Sequence, residues 1–279
     1  MNCAWSEFLS ILPQQFRNQI DRLGKEKLEE LHLRIGQPIE LIVGGRSVLL
    51  DKHTAKEDIQ FVINAASHYS PWAAASVAKG YITAPGGHRI GICGECVVQC
   101  GEITGIKYGT SLCIRVAREL PGIGDNVPLQ GSLLILGPPG VGKTTLLRDV
   151  VRLRSLSGQS VAVVDERAEL FPPGNHFQPG SRTDILTGCS KAQGVQMTLR
   201  TMSPRCIAVD EITAQEDCDA LMSAAWCGVE LLATAHAENV ADLMSRKIYR
   251  PLKECGLFTQ VIVLRRDKSW YLERMKGCT

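Results

Sequence analysis

The chain has 279 residues, 44% of them hydrophobic and 22% charged, and its 31 Lys+Arg against 29 Asp+Glu leave a formal net charge of +2. That length is long for one compact unit and sufficient for two domains with their own cores, and the near balance of charge excludes a strong overall field for nucleic acid or anionic lipid. No apolar stretch reaches the roughly 18–20 residues that span a bilayer, and Met1 to Asp21 lacks a basic segment followed by an apolar signal core, so a cytoplasmic chain with no transmembrane segment is expected.

From the N-terminus, Phe8 to Ile20 carries apolar residues at helical spacing and reads as one helix. Period-two alternation between the turn signals Gly36-Gln37-Pro38 and Gly44-Gly45 predicts a small meander with strands at Leu31–Ile35, Ile39–Val43 and Val48–Leu50. Ile59–Ser67 and Trp72–Ala78 read as helices. Tyr81–Thr83 is expected to meet a turn at Pro85-Gly86-Gly87, followed by a strand at Arg89–Val98 and a further strand pair ending with Ser111–Ala117. Residues 1–122 thus make an α+β N-terminal domain, and 123–130, rich in turn formers, a linker.

The 11 cysteines read as reduced thiols, several of them in apolar contexts such as Cys113, Cys206 and Cys227. Cys93, Cys96 and Cys100 have suggestive spacing but no second ligand pair, and they read as strand and turn in preference to a metal centre.

From 131 to 279 the pattern changes to apolar strands alternating with helices, the mark of a mainly parallel sheet covered on both faces. Strands are predicted at Leu133–Leu136, Ser160–Val164, Cys206–Val209, Glu230–Thr234 and Gln260–Leu264, with a terminal hairpin reaching Trp270–Arg274. The first strand runs into Gly137-Pro138-Pro139-Gly140-Val141-Gly142-Lys143-Thr144-Thr145, the phosphate-loop (Walker A) pattern between a strand and a helix. Glycines let backbone N–H groups converge on phosphate oxygens, and the following helix aims its positive end at the same anion. Lys143 is expected to reach the β- and γ-phosphates of ATP, and Thr144 to hold Mg2+.

Three other strand ends carry polar groups toward the crevice where ligands of open α/β sheets bind. Ile207–Val209 ends in Asp210-Glu211, a metal-supporting carboxylate followed by a candidate base for in-line attack of water. Val161–Val164 ends in Asp165-Glu166-Arg167-Ala168-Glu169, where Glu166 is a candidate for ordering metal or water. Leu231–Thr234 ends in Ala235-His236, with His236 a candidate reporter of the γ-phosphate. Arg265, Arg266 and Lys268 read as a solvated hairpin tip, so no strong nucleic-acid signal is present.

These stretches resemble the additional-strand, catalytic-glutamate ATPases, and within them the secretion and pilus motors. Leu199–Glu211 is similar to the run those motors carry into their second acidic motif, Asp165–Glu169 to their aspartate box, and Thr234–Asn239 to their histidine box. Pro85–Gly91, Ile114–Glu119 and Val164–Glu169 extend the likeness, over about Leu31 to Trp270, to the ATPases of endospore formers. The motors usually have Gly-Glu where this chain has Asp210-Glu211, and an arginine where it has Thr213.

The resemblance implies a RecA-like P-loop core preceded by a smaller α+β N-terminal domain, assembled as a homo-hexamer. It further implies that ATP hydrolysis powers a transenvelope channel between mother cell and forespore, with the ring docked peripherally on a membrane protein of a sporulation secretion-like complex. A ring of this kind needs a guanidinium at the γ-phosphate. Arg89, Arg115, Arg118, Arg182 and Arg200 are candidates, with Arg115 and Arg118 placed first because they lie near the linker. A nucleic-acid-dependent ring ATPase and a nucleotide-gated assembly scaffold stay open as alternatives.

Overall fold

A computed structural model of the chain describes residues 1–67, 80–172 and 177–273. The helix expected at Trp72–Ala78 lies outside the described residues. Two compact units are present, one within Met1–Arg118 and the other comprising Glu119–Phe171 and the described residues from Phe177 onward. Among the described residues no helix is long and apolar enough to cross a membrane.

The first unit begins with two helices where one was expected, α1 at Trp5–Ser10 and α2 at Gln14–Leu23. Pro13 separates them: it has no N–H to continue α1, and its fixed φ of −54° suits the residue that precedes a new helix. A six-stranded antiparallel sheet follows, in the order β3-β2-β1-β6-β5-β4. Its strands are β1 (Leu28–Arg34), β2 (Pro38–Val43), β3 (Arg46–His53), β4 (Tyr81–Thr83), β5 (Arg89–Gln99) and β6 (Glu102–Arg115), with α3 at Lys56–Ser67. The expected strand pair before Ala117 is one long strand, β6, paired along its length with β5 through a turn at Cys100-Gly101. Phe8, Phe16, Ile20, Leu31, Leu33, Leu41, Ile59, Val62, Ile90 and Ile114 pack one side of this sheet against the helices. His88 is fully buried and joins the start of the chain to the end of β6, with Nε2 2.8 Å from Ala4 O and Nδ1 accepting from Ala117 N at 3.1 Å.

The second unit holds a seven-stranded sheet in the order β13-β12-β7-β11-β10-β8-β9. Its strands are β7 (Leu133–Leu136), β8 (Val161–Asp165), β9 (Thr183–Thr187), β10 (Cys206–Val209), β11 (Glu230–Ala235), β12 (Gln260–Leu264) and β13 (Trp270–Glu273). All pairings are parallel except the β12–β13 hairpin. Strands β7, β8 and β10 are buried throughout, as a sheet covered on both faces requires. Edge strand β9 was not expected, because it is half exposed and shows no clean alternation.

The main helices of this unit are α4 (Lys143–Leu156), α5 (Lys191–Thr201) and α6 (Gln215–Trp226). The start of the expected linker, 123–130, and the residue before it are held to α4 by Asp149 Oδ2, which accepts from Gly122 N at 2.9 Å and Gly124 N at 2.8 Å. The strand order matters most for chemistry. Neighbours β7, β11, β10 and β8 bring four polar strand ends side by side, although in sequence they are separated by whole helices.

Candidate nucleotide site

The loop after β7 takes the shape its glycines allow. At Gly137, with φ 155°, an added Cβ would come within 2.8 Å of Leu264 O, so only glycine fits beneath β12. Gly142, at φ 105°, occupies the N-cap of α4, a conformation that an L side chain rarely adopts. Pro138, Pro139, Gly140 and Val141 complete the turn, and Lys143, Thr144 and Thr145 form the first turn of α4, at the positive end of its dipole. Lys143 is buried, and its Nζ donates to Gly137 O and Pro138 O, each at 2.9 Å. Burial pulls the Lys143 pKa below its ordinary value, and the Asp210 and Glu211 carboxylates oppose that shift.

Asp210 and Glu211 follow β10 directly. Thr144 Oγ1 donates to Asp210 Oδ2 at 2.8 Å, which places a hydroxyl and a carboxylate, both hard oxygen donors suited to Mg2+, next to each other. Thr234, fully buried at the end of β11, donates from Oγ1 to Asp210 Oδ1 at 2.6 Å and accepts from Glu211 N at 2.8 Å. Glu211 has φ 50°, an uncommon conformation for a non-glycine residue that costs on the order of 1 kcal/mol. The Thr234 bond holds it there. His236 then closes the group, with Nδ1 2.9 Å from Lys143 Nζ and Nε2 3.1 Å from Glu211 Oε1.

The acidic strand end after β8 plays two parts. Asp165 is buried and accepts three backbone bonds, from Glu169 N at 2.8 Å and from Leu170 N and Phe171 N at 2.9 Å each. It folds its own loop. Burial pushes its pKa up to about 6, with the Asp210 charge adding to the rise and the backbone N–H groups opposing it. Glu166 makes an ion pair with Lys191 at 2.6 Å. Arg148 supports the same loop by donating to Leu170 O at 2.5 Å and to Glu169 O at 2.9 Å. A crevice between these strand ends is lined by Glu166, Glu169, Lys191, Asp210, Glu211 and Thr213.

Of the residues singled out from the sequence, Lys143, Thr144, Asp210, Glu211 and His236 are joined by direct contacts, and Glu166 lines the adjoining crevice. Arg115 and Arg118 lie in the first unit, where Arg115 Nε donates to Glu30 Oε1 at 3.0 Å and Arg118 donates to Lys25 O at 2.8 Å and to Leu28 O. Arg89 stacks over Tyr81, and Arg182 donates to Gly158 O. Sequence reasoning missed the roles of Thr234 and Lys191. Thr234 stood in the quoted histidine-box stretch, but nothing in a strand-end threonine announces a bond to another strand. Lys191 opens a helix behind Ser190, an ordinary N-cap, and belongs to no motif.

The family model for sporulation stage III, protein AA matches residues 6–275. Stage III sporulation protein AA of Bacillus subtilis (strain 168) is 36% identical, over 95% of this chain and 92% of that protein. Among solved structures, the Legionella pneumophila ATPase DotB aligns with a TM-score of 0.60 at 19% identity, covering 92% of this chain and 79% of its own. The pilus retraction motor PilT with bound ADP aligns with a TM-score of 0.63 at 17% identity, covering 95% and 83%. These likenesses establish the fold, a RecA-like core preceded by an N-terminal domain. With the family match spanning nearly its whole length, the chain belongs to the sporulation stage III protein AA family.

Proposed function

We propose that the chain is an ATPase of the secretion-motor type, with its site at the joined ends of β7, β11 and β10. The observation that supports this reading best is the continuous path Lys143–His236–Glu211 beside the Thr144–Asp210 pair. A phosphate-contacting cation and a candidate base share one histidine in that path. Loop 137–145 binds the triphosphate, with Lys143 neutralising charge at the β- and γ-phosphates. Thr144 and Asp210 hold Mg2+, which when bound supplies charge to the phosphate oxygens. Glu211 takes the proton of the attacking water on the carboxylate oxygen that His236 leaves free. Glu166, paired with Lys191, borders the water side of the crevice and orders that water.

Family membership supports the wider reading. Hydrolysis would act through a homo-hexameric ring and move its N-terminal domains, residues 1–122, to drive assembly of or transport through a sporulation channel between mother cell and forespore. A membrane protein of that complex would be the docking partner, and Arg115 and Arg118 the candidates for reaching a γ-phosphate in such a ring. The test is steady-state ATP turnover of the wild type and Glu211→Gln, with binding of a non-hydrolysable analogue measured in both. A loss of about 100-fold or more in turnover with binding retained is expected. Equal turnover rejects Glu211 as the base. Light scattering with and without the analogue tests the ring.

A further inference from the structure

Hydrolysis leaves unused a cluster on the polar side of the first unit's sheet. Strands β1 and β6 run antiparallel with His32 directly opposite Cys113 and Glu30 opposite Arg115. Side chains alternate across a strand, so Leu31, Leu33, Leu112 and Ile114 enter the core while Glu30, His32 and Cys113 share the other face. Cys113 Sγ lies 3.9 Å from His32 Nε2 and 3.8 Å from Glu30 Oε2, and the last two atoms are 3.2 Å apart.

We propose that Glu30, His32 and Cys113 bind a zinc-class divalent cation through one sulfur, one nitrogen and one oxygen, with the fourth position open to water. Bonds of about 2.0 Å to nitrogen and oxygen and about 2.3 Å to sulfur, in a tetrahedron, set donor atoms roughly 3.3–3.6 Å apart. The three observed separations match that face to within a few tenths of an ångström. Thiolate with imidazole selects zinc over magnesium or calcium, which prefer all-oxygen sets.

The surroundings suit ligation. Arg115 Nε donates to Glu30 Oε1 at 3.0 Å, orienting the carboxylate and leaving Oε2 for the cation. The residue paired with Cys113 on its other flank is Gly91, so no side chain on that flank crowds the approach to Sγ. His32 Nδ1 faces Arg34 Nη2 at 3.5 Å, but the short contact of Arg34 is to Glu40, at 2.7 Å. Ligation through Nε2 moves the ring proton to Nδ1, which gives up the 3.5 Å contact with Arg34 while Arg34 stays on Glu40. Cys113 binds as thiolate and releases its proton to solvent, giving a neutral site of one dication, one thiolate and one carboxylate. Because the donors come from two neighbouring strands, the cation cross-links β1 to β6. Two of the three contacts, those of Cys113 Sγ and His32 Nε2 with Glu30 Oε2, are also satisfied by S–H and N–H bonds with no cation present, and the experiment separates these two outcomes.

Full-length protein stripped with a chelator is titrated with Co2+ and followed by absorption. One equivalent is expected to produce a thiolate-to-cobalt charge-transfer band with tetrahedral visible bands, displaced by Zn2+. Cys113→Ser loses the charge-transfer band, His32→Gln and Glu30→Gln each weaken binding by about tenfold or more, and a triple Cys93→Ser, Cys96→Ser, Cys100→Ser variant keeps the band. Zn2+ raises the thermal midpoint of the wild type and of the triple variant but not of Cys113→Ser. Absence of the band in the wild type, or a band that survives Cys113→Ser, overturns the proposal.

Discussion

Lys143 Nζ and His236 Nδ1 lie 2.9 Å apart, and this contact sets which ring nitrogen accepts. An ammonium offers only N–H, so Nδ1 accepts and the single ring proton sits on Nε2, where it donates to Glu211 Oε1 at 3.1 Å. The lysine of loop 137–145 is thereby connected to the Glu211 carboxylate at the end of β10.

Removing the histidine separates the two. His236→Ala is expected to lower kcat by about 10–100-fold, the equivalent of one hydrogen bond to a charged group. Binding of a non-hydrolysable analogue should change by no more than about threefold, well under 1.4 kcal/mol per tenfold. An equally large loss of affinity with kcat preserved would assign His236 to binding.

Thr234 makes the second test. Thr234→Val keeps the shape of the side chain but leaves Asp210 Oδ1 and the Glu211 N–H without the bonds the hydroxyl provides. A stability loss of about 1–3 kcal/mol in denaturant unfolding is expected, with reduced turnover as Glu211 relaxes from its φ of 50°. Thr234→Ser should recover most of both.

Asp165→Asn addresses the acidic loop. Two carboxylate oxygens accept three N–H groups, and an amide has one acceptor oxygen, so at least one bond is lost at a cost of about 1–3 kcal/mol. The wild type carries a pH signature as well. Its folded pKa of about 6 lies above the ordinary 3.8, so this group's stabilising contribution is complete below 3.8 and is lost as pH rises through about 6. Unfolding midpoints measured across that window should lose this component in the variant.

His88 runs the other way. Burial pulls its pKa below the ordinary 6.5 and outweighs the bond to Ala4 O, which opposes the shift; a second ring proton, on Nδ1, would also face the Ala117 N–H. The unfolded chain therefore binds the proton more readily: the stability is complete above 6.5 and is lost as pH falls through the lowered folded value. Trp5 stacks on Phe8 at 5.0 Å, and Phe8 lies 5.1 Å from the His88 ring, so fluorescence of a variant in which the other three tryptophans are replaced by Phe reports this region. In His88→Gln the acid-dependent part of that transition should disappear. An unchanged pH profile would remove His88 as its cause.

Local chemistry made part of the fold readable. Buried strands such as Leu133–Leu136 and Cys206–Val209 announce themselves because a strand covered on both faces is apolar at every position. Thr183–Thr187 does not, since it lies at an edge and its pairing with β8 supplies an order its own residues do not express. The apolar period from Phe8 to Ile20 continues through Pro13 and so indicates one helix where two form, because the period says nothing of a missing N–H.

The amino-acid sequence alone determined the phosphate loop, the Asp210-Glu211 pair, the histidine after β11 and the alternation of strand and helix. Each is local, in that a few adjacent residues carry the backbone freedom, charge and period involved. Tertiary structure alone decided the bonds among them. Thr144 and Asp210 are 66 positions apart and Lys143 and His236 are 93 apart, and they meet because β11 and β10 lie in sequence beside β7 in the sheet. The same holds for Thr234 between the Asp210 carboxylate and the Glu211 N–H, and for Glu30, His32 and Cys113 across β1 and β6. Strand order and register arise from burial of whole elements against one another, and no local pattern of residues encodes them.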